Sequence, residues 1–576
     1  MQTFRHLANI RNVNRAPHSH GRRHPHQRTG QRKPPGRDAL AQAAAQAFPA
    51  ATARRFRRTR RVLHVHHREA RHRAGHDHAP HAHPRGCRAR AGHPRRQVHV
   101  LQADRRRAAT ARPRSFATLT FTEATDMDEL ALLADADRRA HAYLAATNER
   151  RAFPDAAALA GLAAFDEPLP DTGRPADDVL RLLDERGTPA TVASNGPNYF
   201  GFVIGATLPV AAAAERLMLA WDQCASSYAN SPVAATIERQ AARWVVDVLG
   251  LPEGSAVGFG TSATACTLVA LVAARRALLA RKGWDIDADG LIGAPEVKVV
   301  ISELAHITVK KALRVLGFGM KRLIVAPVDV HGRIDPAQLP PLDDMTILCV
   351  QAGEVNTGEF DPFAALIPPA KAAGAWVHVD GAFGLWARAS SKRALTDGID
   401  GADSWTTDGH KWLNTPYDGA MVICRDAAAL ATAMNSDAVY LSGAQDAQKN
   451  LNLEFSRRAR GIPVWAALRS LGRAGVATMV ERHCAQAARV ADGLRAAGYD
   501  VLNRVVLNQV LVRAGTDDET AAILAAAQAS GDVWFGATVW QGRPAFRISV
   551  SSWRTEDAHI DRLVALLTEL RGVHVR

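Results

Sequence analysis

The 576-residue chain is poor in cysteine, with six, and in aromatic residues, at 6 %. Cys87, Cys224, Cys266, Cys349, Cys424 and Cys484 are scattered, without a CxxC pair or a pairing spacing. That excludes a disulfide-framed secreted domain, and it fits small core thiols in a reducing cytoplasm. No metal site is expected. Long apolar runs are missing too. The richest stretch read from sequence, Leu208 to Trp221, is broken by Glu215 and Arg216, so no membrane span is expected. There is no secretory apolar core, no internal repeat, and no GxxxxGK[ST] phosphate loop.

Positive charge is abundant, at +15 net, but it is unevenly spread. Residues 1–126 hold 28 Lys and Arg against 6 Asp and Glu, a net of +22, which leaves −7 for the rest. They also hold 15 of the 23 histidines and little apolar periodicity, so they cannot bury a core. Three readings stay open. The segment is a basic nucleic-acid arm, as Arg54-Arg55-Phe56-Arg57-Arg58 would allow; or an organellar transit peptide; or an unstructured or non-native extension placed before the true start. Helical spacing begins at once after Met127, with Leu130, Leu132, Leu133, Ala140 and Tyr143. The folded part of the chain is therefore expected to begin near Met127. Deleting residues 1–126 should leave a folded, active protein; loss of solubility or activity in the truncated chain would place the segment in the fold.

From residue 127 to 195 the pattern is helical with polar loops. Helices are expected again over Pro209–Trp221 and Ala234–Leu251. Short apolar strands then follow at Lys298–Ser302, Arg322–Ala326, Thr346–Val350, Trp376–Asp380 and Gly419–Cys424, with helices over Ala265–Ala280, Thr308–Leu316 and Phe363–Ala373 between them. Strands alternating with helices predict an α/β fold with a mostly parallel sheet covered on both faces. A long helix from Val464 to about Ala497 then leads to a smaller α+β segment with strands near Val505–Val512 and Pro544–Val550. The expected divisions are 127–195, a large domain over 196–460, and a small C-terminal domain over 461–576.

In such sheets ligands lie at the carboxyl ends of strands. Two strand ends carry chemistry: Val377-His378-Val379-Asp380, and, some 30 residues on, Asp408-Gly409-His410-Lys411-Trp412. A lysine amine and a carboxylate delivered side by side are what pyridoxal phosphate (PLP) requires. The amine forms a Schiff base with the aldehyde, and the carboxylate keeps the pyridine nitrogen protonated. Gly258-Phe259-Gly260-Thr261-Ser262-Ala263-Thr264 supplies a small-residue turn into a helix, whose N–H groups suit a phosphate. His306 opens another helix and either caps it or stacks on the cofactor ring.

With these motifs in this order, the chain from Met127 onward resembles the group II PLP-dependent amino-acid decarboxylases, which include aromatic-L-amino-acid, glutamate and diaminobutyrate decarboxylases. The resemblance rests on Asn198-Tyr199-Phe200-Gly201-Phe202, Ser262-Ala263-Thr264, His306, Asp380-Gly381-Ala382, His410-Lys411-Trp412 and Phe546-Arg547-Ile548-Ser549. It implies fold type I, a homodimer, a cytoplasmic enzyme, and loss of an L-amino acid's carboxylate as CO₂ to leave the amine. It implies Lys411, Asp380 and His306 as catalytic. Ala263, Thr264, Ala382, Asp408 and His410 join them around the cofactor, and Asn198, Tyr199, Phe200 and Arg547 meet the substrate. Asp408 stands where the aromatic subgroup has asparagine. The stretch 443–455, similar to the family's mobile loop, lacks that subgroup's proton-donating tyrosine; either aldehyde beside the amine or a substitute acid is expected, with Tyr440 first and Lys449 and His306 the other candidates. The rival readings are another fold type I activity (aminotransferase, carbon–sulfur lyase, aldehyde-forming decarboxylase) and a non-enzymatic nucleic-acid binder acting through the basic extension.

Overall fold

The computed structural model describes residues 128–435 and 447–574. The expectations for residues 1–126 and for Tyr440 lie outside these residues. Seven strands form the main sheet: β1 (Ala256–Gly260), β2 (Lys298–Ser302), β3 (Ile324–Ala326), β4 (Thr346–Gln351), β5 (Trp376–Asp380), β6 (Ser404–Asp408) and β7 (Ala420–Cys424). Their order is β1-β7-β6-β5-β4-β2-β3. All neighbours run parallel except at β7, which is antiparallel to both β6 and β1.

Alternation along each strand feeds two cores. Val300, Leu348, Val377, Val379, Trp405 and Ile423 pack on one face, against Val245 of the helix Pro232–Val248 and Leu366 of the helix Phe363–Ala372. Val299, Ile347, Cys349, Trp376 and Val422 pack on the other, under the helices Ala263–Arg281 and Ile307–Val315. The helix Ala263–Arg281 corrects the reading of apolar runs. At 19 residues it is long and apolar enough to cross a membrane by composition. Its side chains Cys266, Val269, Leu271, Leu278 and Leu279 are instead buried in this second core.

A second sheet, in the order β10-β11-β9-β8, comprises β8 (Asp500–Val501), β9 (Gln509–Arg513), β10 (Gly536–Trp540) and β11 (Arg543–Ser549). The helix Gly461–Ala496, kinked at Gly472, serves both sheets. Val464, Ala467 and Leu468 belong to the main core, and Ala487, Val490 and Leu494 to the core of the small sheet.

Several expected boundaries move. Arg322 falls in a 3₁₀ turn, and its strand starts at Ile324. Val505 has φ 50° and precedes β9 rather than opening it. In the small sheet β8 and β10 are not among the expected strands; in the main sheet β1 is not, because glycine is depleted in strands. Gly258 is needed there: a Cβ on it would lie 1.9 Å from the Leu451 carbonyl oxygen. Packing of the distant stretch Gln448–Leu451 thus decides a residue that local propensity assigns to a turn.

Candidate active site

Asp380 is the last residue of β5 and Asp408 the last of β6. The register pairs His378 with Ser404 and Asp380 with Thr406. Because side chains alternate, Asp380, Thr406 and Asp408 share the face that carries the helix Ala263–Arg281. Thr406 Oγ1 lies 3.3 Å from Thr267 Oγ1 of that helix. The helix N-terminus therefore meets the two carboxylates at one corner of the sheet.

At that corner Ala263 N–H donates to Asp408 Oδ1 at 2.7 Å, and Lys411 Nζ lies 3.1 Å from Asp408 Oδ2. Ser262 caps the helix by accepting from Ala265 N–H. That leaves Thr264 N–H, at the positive end of the helix, with no protein acceptor among the described residues. An anionic phosphate suits that position.

The Lys411 loop is held rigidly. Gly409 and His410 N–H both donate to the Gly419 carbonyl, and Gly419 N–H donates to His410 Nδ1 at 3.3 Å. In a neutral imidazole the proton is then on Nε2, which lies 3.7 Å from Asp408 Oδ1. Burial pushes the His410 pKa down, and the Asp408 charge opposes this. Trp412 is fully buried, and its indole N–H donates to His483 Nδ1 at 2.9 Å. Gly205 passes so close behind that a Cβ would sit 1.8 Å from the Lys411 carbonyl oxygen.

His306 takes the capping role of the two read for it. Nδ1 caps its helix, 2.7 Å from Thr308 Oγ1. Burial lowers its pKa, with Asp380 opposing and Lys411 and Arg547 adding to the shift. The ring thus sits among the groups expected around the cofactor. Asp380 is buried and accepts from Ala382 N–H at 3.1 Å. Arg547, on β11, donates to the Val355 carbonyl at 2.8 Å, while its buried Nε has no partner. Burial lowers its pKa and the nearby Glu354 opposes. Such a guanidinium has capacity left for a carboxylate.

The segment 198–203 divides. Asn198 is half-buried and its carbonyl accepts from Trp534 N–H. Tyr199 lies flat on Trp534, with ring centroids 4.9 Å apart. Phe200 is a correction: at 1 % exposure it packs with Phe535 and Phe546 in the core of the small sheet. Phe202 belongs to the same motif but was not assigned to the substrate. It is 56 % exposed, sits at φ 55° beside Val203 at φ 57°, and tilts against Trp534 at 5.2 Å. Left-handed backbone in bulky residues is uncommon and clusters at functional sites. Tyr417 was missed; it stacks on His410 with centroids 4.3 Å apart. No spacing rule links positions 410 and 417, and only the fold-back of the loop reveals the contact.

A strand-end lysine, a strand-end carboxylate and a helix N-terminus with a free N–H are the three parts that PLP needs, and together they define a fold type I PLP enzyme. Comparison with known proteins carries this further. Residues 161–512, more than half of the chain, match the pyridoxal-dependent decarboxylase conserved domain. Tryptophan decarboxylase 1 of Oryza sativa subsp. japonica is 28 % identical over 436 residues, spanning 68 % of this chain and 83 % of that protein. Phenylacetaldehyde synthase of a Rosa hybrid cultivar is 25 % identical over 429 residues, 67 % of this chain and 82 % of that protein. The solved structure of Oryza sativa TDC with PLP and tryptamine shares the fold, with TM-score 0.72 and 23 % identity over 80 % of this chain and 100 % of that one. The chain belongs to the pyridoxal-dependent decarboxylase family. It is a carboxy-lyase that uses PLP to remove CO₂ from an L-amino acid.

Proposed function

We propose that this chain converts an aromatic L-amino acid to its amine, as a cytoplasmic homodimer, with Lys411, Asp380 and His306 as catalytic residues. The observation that carries the substrate class is two aromatic groups at the site. Tyr417 stacks on His410, the neighbour of Lys411, while Tyr199 stacks on Trp534 and Phe202 tilts against the same indole. Flat rings favour offset and tilted packing against such groups. The test is CO₂ release from a panel of purified L-amino acids. L-tryptophan, L-phenylalanine or L-tyrosine should lead; preference for a short polar amino acid would refute the aromatic assignment.

Lys411 would anchor the cofactor covalently, Thr264 N–H and His410 would hold its phosphate end, and Asp380 would face its ring nitrogen, with Ala263, Ala382 and Asp408 completing the shell. The bound cofactor supplies an electron sink for the bond to the departing carboxylate. His306 presents its ring beside Asp380 and Lys411, and Arg547 offers its unpaired guanidinium face to the substrate carboxylate. Asn198 and Tyr199 stand at the substrate side. Asp380→Asn keeps the shape but removes the charge that stabilises a protonated ring nitrogen. Both cofactor affinity and turnover should fall, by about 10²-fold or more in rate if the charge provides a few kcal/mol. Near-normal rates in that variant would assign the ring nitrogen to another partner.

Two features support the dimer and the compartment. The helix Glu129–Ala146 buries no side chain, nor do the helices Ala156–Gly161 and Ala176–Leu182. Leu130, Leu133, Leu144, Leu159, Phe165 and Leu183 are exposed. A second copy covering these residues removes that apolar surface from water. Light scattering should give twice the chain mass. The five described cysteines are free thiols, as a reducing compartment maintains them.

A further inference from the structure

We propose that Tyr417 donates the proton that replaces CO₂ on the substrate. The proposal rests on the assignment of Lys411 as the cofactor anchor. Loss of CO₂ leaves an electron pair on carbon, and an enzyme that forms an amine must protonate that carbon promptly. The stretch 443–455 contains no tyrosine. Of the substitutes expected from sequence, Lys449 is 5 % exposed and its ammonium donates to Asn450 Oδ1 at 3.0 Å. His306 accepts the Thr308 N–H on Nδ1, so its remaining ring nitrogen is the alternative donor that the experiment must separate from Tyr417.

The six tyrosines narrow quickly. Tyr143 sits on the outer helix under the Arg150 guanidinium. Tyr228 is surface-exposed, and Tyr499 donates to the Leu567 carbonyl. Tyr440 is outside the described residues. Among the described tyrosines Tyr199 and Tyr417 remain, Tyr417 on His410 beside Lys411 and Tyr199 on Trp534. A donor must recover its proton from water at each turnover. Tyr199 is 6 % exposed and clamped on Trp534, whereas Tyr417 is 54 % exposed.

Tyr417 is also placed for the task. Its ring covers His410, the neighbour of Lys411. Its hydroxyl feels the charge of Asp408, the same carboxylate that lies 3.1 Å from Lys411 Nζ. The substrate amine takes the place of the Lys411 amine on the cofactor, so the carbon that loses CO₂ lies one bond from that position. The loop does not drift. Arg458 donates to the Tyr417 carbonyl at 3.1 Å and pairs with Asp418 at 2.6 Å, and Arg460 pairs with Asp418 at 3.0 Å. A phenol, with an ordinary pKa of about 10, carries its proton at neutral pH. The step balances: the Tyr417 O–H bond breaks, a C–H bond forms with the pair left by CO₂, and the phenolate takes a proton from water.

Tyr417→Phe keeps the ring stack and removes only the hydroxyl. The experiment uses full-length holoenzyme and the L-amino acid from which wild type releases CO₂ fastest. Absorbance titration should give PLP affinity within twofold of wild type and affinity for the α-methyl analogue within threefold. General-acid donation is typically worth about 10²–10⁴-fold. Amine formation should therefore fall by about 10²-fold, with aldehyde or keto-acid by-products under air and a long-wavelength absorbance that persists after mixing. Amine formation within threefold of wild type overturns the proposal. So does a parallel fall in PLP affinity and melting temperature, which marks a packing role, or a loss confined to Tyr440→Phe. If borohydride fails to fix the cofactor on Lys411 in wild type, the site assignment itself falls, a result separate from any of these.

Discussion

Lys411→Ala should lose decarboxylation by on the order of 10⁴-fold or more, the scale seen when a covalent catalytic group is removed. Lys411 Nζ faces Asp408 at 3.1 Å, and its backbone is pinned between Gly205 and the bonds from Asn414. No other lysine has that position among the described residues; Lys449 is buried elsewhere, on Asn450. Wild-type protein should be yellow, and borohydride reduction followed by peptide mapping should place the label on the peptide carrying Lys411. A label on another lysine would overturn the site. The variant should still fold, since the ammonium is partly exposed and its loss leaves Asp408 bonded to Ala263 N–H.

Glu238→Ala should cost stability rather than chemistry. Arg457 donates to both Glu238 oxygens, at 2.8 and 2.7 Å, and Gly461 N–H adds a third bond at 3.1 Å. Both side chains are almost fully buried, at 1 % and 2 % exposure. Breaking such a pair leaves an uncompensated charge in the interior, which costs about 3–5 kcal/mol. The pair ties the stretch before the helix Gly461–Ala496 to the helix Pro232–Val248, so the loss should appear as a large drop in urea midpoint at fixed protein concentration. Replacing both residues, as in Glu238→Leu with Arg457→Met, should recover most of it. A shift below about 1 kcal/mol in the single variant would show that the guanidinium finds another partner or water.

Much of the site was legible because its motifs are local. Asp380 ends a run of alternating apolar residues, His410-Lys411 follows the next strand, and Ser262-Ala263-Thr264 opens a helix. In each case the chemistry and the element that delivers it lie within a few residues. The resemblance to group II decarboxylases added Arg547 and the 198–200 segment, which no local pattern distinguishes. Local reading failed where a residue's surroundings come from far along the chain. Phe200 reads as a pocket aromatic but is claimed by the small sheet, more than 300 residues on, through Phe535 and Phe546. Gly258 of β1 reads as part of a loop because the stretch that needs its bareness, at Leu451, is some 190 residues away.

The sequence by itself determined the alternation of strands and helices, the charge break near residue 127, and the pairing of a strand-end lysine with a strand-end carboxylate. These depend on side-chain periodicity and short spacings, which a chain expresses before it folds. Only the tertiary structure decided that Asp408 bridges Lys411 to the helix N-terminus, that Arg547 keeps an unpaired buried nitrogen, and that Tyr417 folds back over His410. Each of these is a contact between surfaces brought together by sheet register and core packing. Burial and register are properties of the folded whole, and no single stretch of sequence contains them.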